Sequence, residues 1–223
     1  MPGTHRLIIK NLGMVSYQDT LQAMVKFTDS RDEDTADELW VLQHYPVFTQ
    51  GQAGKIEHIL DPGDIPIVQS DRGGQVTYHG PGQLVCYLLF DLKRQHLGVR
   101  NLVDGIENSI IQLLSSYGIE SGAKREAPGV YVKDCKVAAL GLRVRKGCSY
   151  HGLSLNISMD LEPFTRINPC GFKGLDVTDL ERLGISDEFS RITERLLKQI
   201  EQNFGYDPGP NNLWGFTGER KWK

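Results

Sequence analysis

The sequence predicts a single α/β domain in which helices flank a mixed, mostly antiparallel β-sheet. Apolar segments with the character of strands alternate along the chain with segments whose apolar residues recur at helical spacing. Between residues 129 and 158, three short strand-like segments follow one another with only tight turns between them, which favours antiparallel pairing. A chain of 223 residues is long enough for one buried core, so we expect one domain rather than two.

The first half of the chain contains three predicted strands and one helix. The pattern predicts a strand from His5 to Leu12 and a helix from Tyr17 to about Asp29. A buried strand is predicted from Glu38 to His44, and the apolar run from Leu84 to Phe90 predicts a central strand. Glycines and prolines crowd the stretch between these two strands, so we expect turns there.

The second half begins with a helix over residues 99–117, which Gly118 ends. A last helix is predicted from about Ser186 to Asn203. Residues 1–205 therefore form the predicted folded domain, and residues 206–223, rich in Pro, Gly and Asn, are expected to pack loosely. Between the helices we expect strands at Gly129–Lys133, Lys136–Arg145 and His151–Ser158, with turns at Asp134–Cys135 and Lys146–Gly147.

Composition excludes several function classes. The net charge of -3 and the pI near 6.1 argue against nucleic-acid or membrane partners, which usually select a basic surface. The start of the chain has no signal pattern and the longest apolar run is too short to span a bilayer, so we expect a cytoplasmic protein. The four cysteines form no CxxC pair, and we therefore predict free thiols and no metal site.

A glycine-rich stretch from Arg72 to Gln83 allows the backbone to approach a ligand closely. It is neither a P-loop nor a dinucleotide fingerprint, and a tight-turned hairpin is an equally good interpretation. Cys170 lies in the turn Asn168–Gly171, which suits an exposed thiol, although a lone cysteine in a turn is more often inert. Lys136 opens a strand, where most lysines are solvated, and His151 could equally be a structural histidine.

Taken together, six segments resemble the octanoyltransferases of lipoate biosynthesis, also called lipoyl(octanoyl) transferases. The resemblance covers roughly residues 5 to 185, in the order and spacing of the family, which is more specific than any single motif. The segments are Tyr45-Pro-Val-Phe-Thr-Gln-Gly51, Arg72-Gly-Gly-Gln-Val-Thr-Tyr-His-Gly-Pro-Gly-Gln83, Ala127-Pro-Gly-Val-Tyr131, Leu140-Gly-Leu-Arg143, His151-Gly-Leu153 and Ile167-Asn-Pro-Cys-Gly171.

The resemblance implies a fold similar to biotin and lipoate ligases, an acyltransferase domain, and no cofactor. It implies transfer of an octanoyl group from octanoyl-acyl carrier protein to a lysine of lipoyl domains, in 2-oxoacid dehydrogenases and the glycine cleavage H protein. Cys170 would carry the acyl thioester and Lys136 would tune it. The implied acyl-site residues are Arg72, Gly73, Gly74, Gln75, Val76, Thr77, Tyr78, His79, Ala139, Leu140, Gly141, Gly152, Leu153 and Ser154. Cys135, beside Lys136, is not part of the family pattern.

The chemistry of thioesters explains these residue types. Exchange of one thioester for another is nearly isoenergetic, so a cysteine can accept the acyl group without ATP. A free cysteine has a pKa of about 8.5, and a nearby ammonium such as that of Lys136 would stabilise its thiolate. After acylation the same lysine could accept the proton of the attacking amine, with His79 or His151 as competing bases.

Two other functions remain open on the sequence. An ATP-dependent lipoate or biotin protein ligase would share the glycine-rich loop and the lysine on a strand, but it would not need Cys170. A non-catalytic module that binds acyl carrier protein would retain its activity without that thiol.

Overall fold

A computed structural model describes residues 7–171 and 174–206, with Cys170 described by its backbone and its side chain outside the described atoms. The helices are α1 (Tyr17–Ser30), α2 (Val99–Ser116) and α3 (Phe189–Asn203), and short 3-10 turns span Ile56–His58, Glu162–Arg166 and Pro169–Gly171. The strands are β1 (Leu7–Val15), β2 (Asp37–His44), β3 (Val47–Gln50), β4 (Ile67–Gln69), β5 (Val76–His79), β6 (Gln83–Leu89), β7 (Gly122–Ala123), β8 (Gly129–Val132), β9 (Cys135–Arg145) and β10 (Cys148–Asn156).

The main sheet has seven strands in the order β1-β2-β6-β10-β9-β8-β7. Strands β1 and β2 run parallel, and every other neighbouring pair in this sheet is antiparallel. The predicted fold class, a mixed and mostly antiparallel sheet with flanking helices, is therefore confirmed.

Helices cover both faces of this sheet because its central strands are apolar on both sides. On one face, Met24 of α1 packs with Trp40, Leu42 and Tyr87. On the other face, α2 and α3 bury apolar side chains against alternate residues of the same strands, such as Leu39 and Val41 of β2. The N-cap Ser16 starts α1, since its hydroxyl accepts a hydrogen bond from the Asp19 amide at 3.4 Å.

A second, three-stranded sheet in the order β4-β3-β5 lies in the stretch where the sequence predicted only turns. Its strands contain three or four residues each, too short for a two-residue repeat to be recognised among glycines and prolines. Phe48 and Tyr78 belong to its own small apolar cluster with Phe164 and Ile167. This cluster fastens the small sheet to the segment that leads to Cys170.

The predicted element boundaries differ from the observed ones at the turns. The hairpin between β8 and β9 turns at Lys133–Asp134, where φ is 47° and 70°, so Cys135 belongs to β9 and not to the turn. The Lys146–Gly147 turn is confirmed, with φ of 54° and 86°. Strand β10 begins at Cys148, three residues before the predicted start, because this two-residue turn lets pairing resume at once.

The packed chain extends further at its end than predicted. Tyr206 was placed in a loose tail, but it is 4% exposed and its hydroxyl donates to Oδ2 of Asp37 at 2.8 Å. Residues 207–223, the rest of the predicted tail, lie outside the described residues. Among the described helices, none is long and apolar enough to cross a membrane.

Candidate active site

A cavity of about 490 Å³ lies between the glycine-rich segment and the adjacent strands β9 and β10. Every predicted acyl-site residue lines it except Tyr78. The structure adds Tyr17 of α1 and Tyr87 of β6 at one side, and Val99 and Val103 of α2 at another. Three segments far apart in sequence, 72–79, 139–141 and 152–154, are therefore brought together around one space, as a ligand site requires.

Tyr78 is the predicted acyl-site residue that the structure places elsewhere. Its ring centroid lies 5.5 Å from that of Phe48 and 5.5 Å from that of Phe164, within the cluster of the small sheet. Side chains alternate between the faces of a strand, so Thr77 and His79 reach the cavity and Tyr78 points away. A motif of consecutive residues does not show which of its side chains lie on the same face of the strand.

The Arg72 side chain is part of the cavity wall and stabilises the backbone there. Its guanidinium donates to the carbonyl oxygen of Thr49 at 2.6 Å and to the carbonyl oxygen of Gly73 at 2.9 Å. The arginine passes close to Gly141, where an added Cβ would lie 3.0 Å from Cδ of Arg72. Gly141 pairs with Gly152 across β9 and β10, and a Cβ on Gly152 would clash with the Cys86 carbonyl. These glycines are thus explained by close packing.

Lys136 lies at the start of β9 and is 4% exposed. Its backbone is fixed by hydrogen bonds with Asp176 and Thr178, and its ammonium lies 5.3 Å from the Tyr131 ring centroid. It lines a small pocket of about 10 Å³ together with Pro169. Thr77, Ala139 and Ser154 line both this pocket and the large cavity, so the two spaces adjoin.

The Cys170 segment, Asn168–Gly171, lies beside the Lys136 pocket. The Asn168 amide donates to the carbonyl of His58 at 2.8 Å, and the Gly171 amide donates to the Asn168 carbonyl at 2.9 Å. Pro169 lines the pocket that Lys136 also lines, and the 3-10 turn packs against β5. The fold therefore brings the backbone at Cys170 and the side chain of Lys136, 34 positions apart in the sequence, to one place.

The two competing bases, His79 and His151, line the large cavity but not the Lys136 pocket. Nδ1 of His79 lies 2.7 Å from Oε1 of Gln83, and Nε2 of His151 lies 2.8 Å from Oδ1 of Asp71. Burial lowers the pKa of both imidazoles, and for His79 the nearby His44 adds to the effect. Both are neutral near pH 7, and only Lys136 of the three lines a pocket together with Pro169 of the Cys170 segment.

Comparison with known proteins assigns the chain to a family. Residues 16–201 match the family described as the lipoyl protein ligase A/B catalytic domain. Proteins named octanoyltransferase are 58% identical to the chain in Shewanella frigidimarina, 57% in Ectopseudomonas mendocina and 55% in Vibrio vulnificus. These matches cover 90%, 90% and 91% of this chain and 93%, 98% and 93% of those relatives. The chain belongs to the octanoyltransferase family.

Solved structures show the same fold at low identity. A bipartite lipoate protein ligase from Thermoplasma acidophilum aligns with a TM-score of 0.69 at 15% identity, over 92% of this chain and 85% of its own. The biotin protein ligase of Aquifex aeolicus aligns with a TM-score of 0.53 at 16% identity, over 90% of this chain and 68% of its own. The predicted fold relationship and family resemblance are confirmed. The octanoyltransferase relatives make this chain an acyltransferase, which excludes the non-catalytic module.

Two other thiols of this octanoyltransferase family member, those of Cys86 and Cys148, are poor nucleophiles. Burial raises the pKa of Cys86 to about 12, and Cys86 lies within the apolar core. Burial also raises the pKa of Cys148. Cys135 is half-buried at the start of β9, next to Lys136, and remains the thiol to control for in labelling.

Sequence reasoning did not single out Glu107, a buried acid near Lys136. Glu107 lies among the apolar residues of the inward face of α2 and is 4% exposed, and its Oε1 accepts a hydrogen bond from the Gly129 amide at 2.9 Å. An acidic residue on the apolar face of a predicted helix is a signal that could have found it.

Proposed function

We propose that this protein transfers an octanoyl group from the phosphopantetheine thioester of acyl carrier protein to a lysine of a lipoyl domain. Cys170 carries the acyl group between the two half-reactions and Lys136 assists both. The predicted cytoplasmic location suits these partners. One observation carries the proposal: Lys136 and Pro169 line a small pocket that adjoins an acyl-sized cavity through Thr77, Ala139 and Ser154.

The first half-reaction is an exchange of thioesters. The Cys170 thiolate attacks the carbonyl carbon of the donor, the bond from that carbon to the pantetheine sulfur breaks, and the released thiolate takes a proton. The buried ammonium of Lys136 stabilises the attacking thiolate, since a positive charge in a partly desolvated site favours an anion. The acyl chain lies in the large cavity, where Leu140 and Leu153 offer apolar contact.

The second half-reaction forms an amide. The amine of the acceptor lysine attacks the Cys170 thioester, the carbon–sulfur bond breaks, and the amine loses a proton. Acylation removes the negative charge beside Lys136, so this residue gives its proton to the departing pantetheine thiolate and can then accept the proton of the amine. Lys136 is then again an ammonium beside the regenerated Cys170 thiolate, and the site is ready for the next donor.

The relatives favour this transferase over the ATP-dependent ligase alternative. They are named octanoyltransferase at 52–58% identity, whereas the lipoate and biotin ligases share the fold at 12–16%. A thioester donor already carries the free energy that a ligase takes from ATP. Transfer should therefore proceed without nucleotide or magnesium. An absolute need for ATP, or release of AMP, would assign the protein to the ligases.

The acyl-enzyme itself provides the direct test. The wild type and Cys170→Ala are incubated with octanoyl-acyl carrier protein, and their intact masses are measured before and after treatment with hydroxylamine. We expect one octanoyl adduct on the wild type, removed by hydroxylamine, and none on the variant. Cys135→Ser serves as the matched control and should still be acylated. An adduct that persists in Cys170→Ala contradicts the assignment of Cys170.

A further inference from the structure

Glu107 is a buried acid to which the proposed mechanism gives no role. It lies in the middle of α2, between Ile106 and the next apolar turn, and only 4% of its surface is exposed. A carboxylate in such a position is costly unless its oxygens are bonded or its charge is balanced. Its Oε1 accepts a hydrogen bond from the backbone amide of Gly129, the first residue of β8, at 2.9 Å.

Gly129 links this carboxylate to Lys136. Its φ of 147° lies in the region that only glycine adopts without strain, and a Cβ there would lie 2.6 Å from Cε and 3.2 Å from Nζ of Lys136. The Lys136 ammonium thus packs directly on the backbone that Glu107 holds. A shift of Gly129 would change the position of that ammonium.

The charges around this pair come from three elements. On α2, Arg100 and Asp104 form an ion pair at 2.9 Å and are about half exposed. Tyr131 on β8 presents its ring to Lys136 on β9. Burial raises the pKa of the Glu107 carboxyl and the negative charge of Asp104 adds to the rise, while the Gly129 amide and the positive charges of Arg100 and Lys136 oppose it. The structural link from Glu107 to Lys136 is the hydrogen bond to the Gly129 amide.

We propose that Glu107 is a positioning residue for acyl transfer, which fixes Gly129 against Lys136 through its hydrogen bond to the Gly129 amide. This inference rests on the proposed function of Lys136. Of the two effects that the carboxylate can have, the hydrogen bond to Gly129 and the charge, it assigns the positioning to the hydrogen bond.

The variant Glu107→Gln separates the two effects, because its amide oxygen can still accept from Gly129 while the charge is gone. Pre-acylated enzyme is mixed with lipoyl domain, and the single-turnover transfer rate is measured against pH. Because the hydrogen bond to Gly129 is kept, the pH profile of the transfer rate should stay at that of wild type. The plateau rate at high pH should stay close to that of wild type.

Two further variants make the result interpretable. Glu107→Asp keeps the charge but shortens the side chain, so it should keep the wild-type midpoint and lower the plateau by up to about 100-fold. Asp104→Asn, one turn earlier on the same helix, makes the same change of charge without contacting Gly129 and should leave both values unchanged. If Glu107→Gln does not fold, the Glu107→Asp plateau still tests the positioning effect.

The outcomes separate this inference from the proposed function. If folded Glu107→Asp transfers at the wild-type plateau rate while Lys136→Met abolishes the rising limb, Glu107 does not position Lys136 and the inference is wrong. If the limb persists in Lys136→Met, Lys136 is not the base and the proposed mechanism is wrong. A lower plateau in Glu107→Asp, with Glu107→Gln and Asp104→Asn unchanged, supports both.

Discussion

Asp37 and Lys136 are both buried charged residues at the starts of strands, yet their surroundings differ. Asp37 is 1% exposed, and its Oδ1 accepts from Arg31 at 2.6 Å, from Arg94 at 2.7 Å and from the Asp91 amide at 2.7 Å. Lys136 is 4% exposed, but it borders a small pocket that adjoins a cavity of about 490 Å³.

The surroundings of Asp37 and Lys136 indicate a different role for each charge. The donors around Asp37 come from the end of α1, from the loop after β6 and, through Tyr206, from the end of α3, so this carboxylate fastens distant segments together. Lys136 instead packs closely on Gly129 and borders a pocket of about 10 Å³ that adjoins the large cavity. Loss of the first charge should therefore affect stability, and loss of the second should affect the reaction.

The largest expected effect comes from Lys136. Lys136→Met should lower kcat by about two to four orders of magnitude, the range for a lost general base, without loss of stability. The pH midpoint for alkylation of Cys170 should rise by about one unit, because the thiolate loses its cation. Lys136→Arg, which keeps the charge but cannot act as a base, should retain the alkylation behaviour and still lose transfer. An unchanged alkylation midpoint in Lys136→Met would make His79 or His151 the better candidate.

Asp37→Ala tests the other half of the comparison. Removal of this carboxylate leaves the buried Arg31 without its partner, and breaking a buried pair in this way costs about 3–5 kcal/mol of unfolding free energy. Chemical denaturation should show the loss, whereas kcat measured below the unfolding transition should stay near that of wild type. The control Asp104→Asn removes an exposed partner of Arg100 and should leave the transition unchanged. A large loss of kcat in folded Asp37→Ala would contradict the division between the two regions.

The sequence predicted the long elements and the site segments, but not how the segments meet. Strands such as β6 and β9, and all three helices, follow from apolar periodicity that extends over many residues. The three-residue β4 and the alternation that turns Tyr78 away from the cavity depend on pairing partners distant in the chain. The position of Glu107 on an apolar helix face is visible in the sequence, but its partner, a backbone amide on another element, is recorded by no sequence motif.

The buried His44 provides a smaller effect, a dependence of stability on pH, which belongs to neither region alone. His44 donates from Nδ1 to the Val15 carbonyl and lies with Nε2 2.7 Å from the Tyr87 hydroxyl, and burial lowers its pKa from 6.5 to about 4. Between these two pH values the unfolded chain binds a proton that the folded chain does not, so stability falls as the pH falls. The contribution of His44 amounts to about 3 kcal/mol by pH 4.

Denaturation at pH 7, 5.5 and 4 checks this expectation. The unfolding free energy of the wild type should fall across the range, and His44→Gln should show a shallower fall, because one titrating group has been removed. His96→Asn, at an exposed position, should follow the wild type. Equal slopes for wild type and His44→Gln would mean that this imidazole is not held neutral in the folded protein.

The smallest expected effect concerns the exposed surface at the end of β9. Arg145 and Lys146 offer positive charge to an acidic protein partner, but both pair with Asp29 at the end of α1, at 2.9 Å and 3.2 Å. These basic groups lower the pKa of the Asp29 carboxyl, so it stays negatively charged at neutral pH and offsets part of the patch. Asp29→Asn should therefore lower KM for the acyl carrier protein by about threefold at low salt, with the difference disappearing near 0.5 M salt, where charges are screened within a few ångströms. The folded stability and kcat should not change, because exposed ion pairs contribute little to stability.

Asp187→Asn, which makes the same change of charge beside α3 on the opposite face of the sheet, is the matched control. If both variants lower KM equally, the effect is one of net charge, and the Arg145–Lys146 surface has no special part in recognising the carrier.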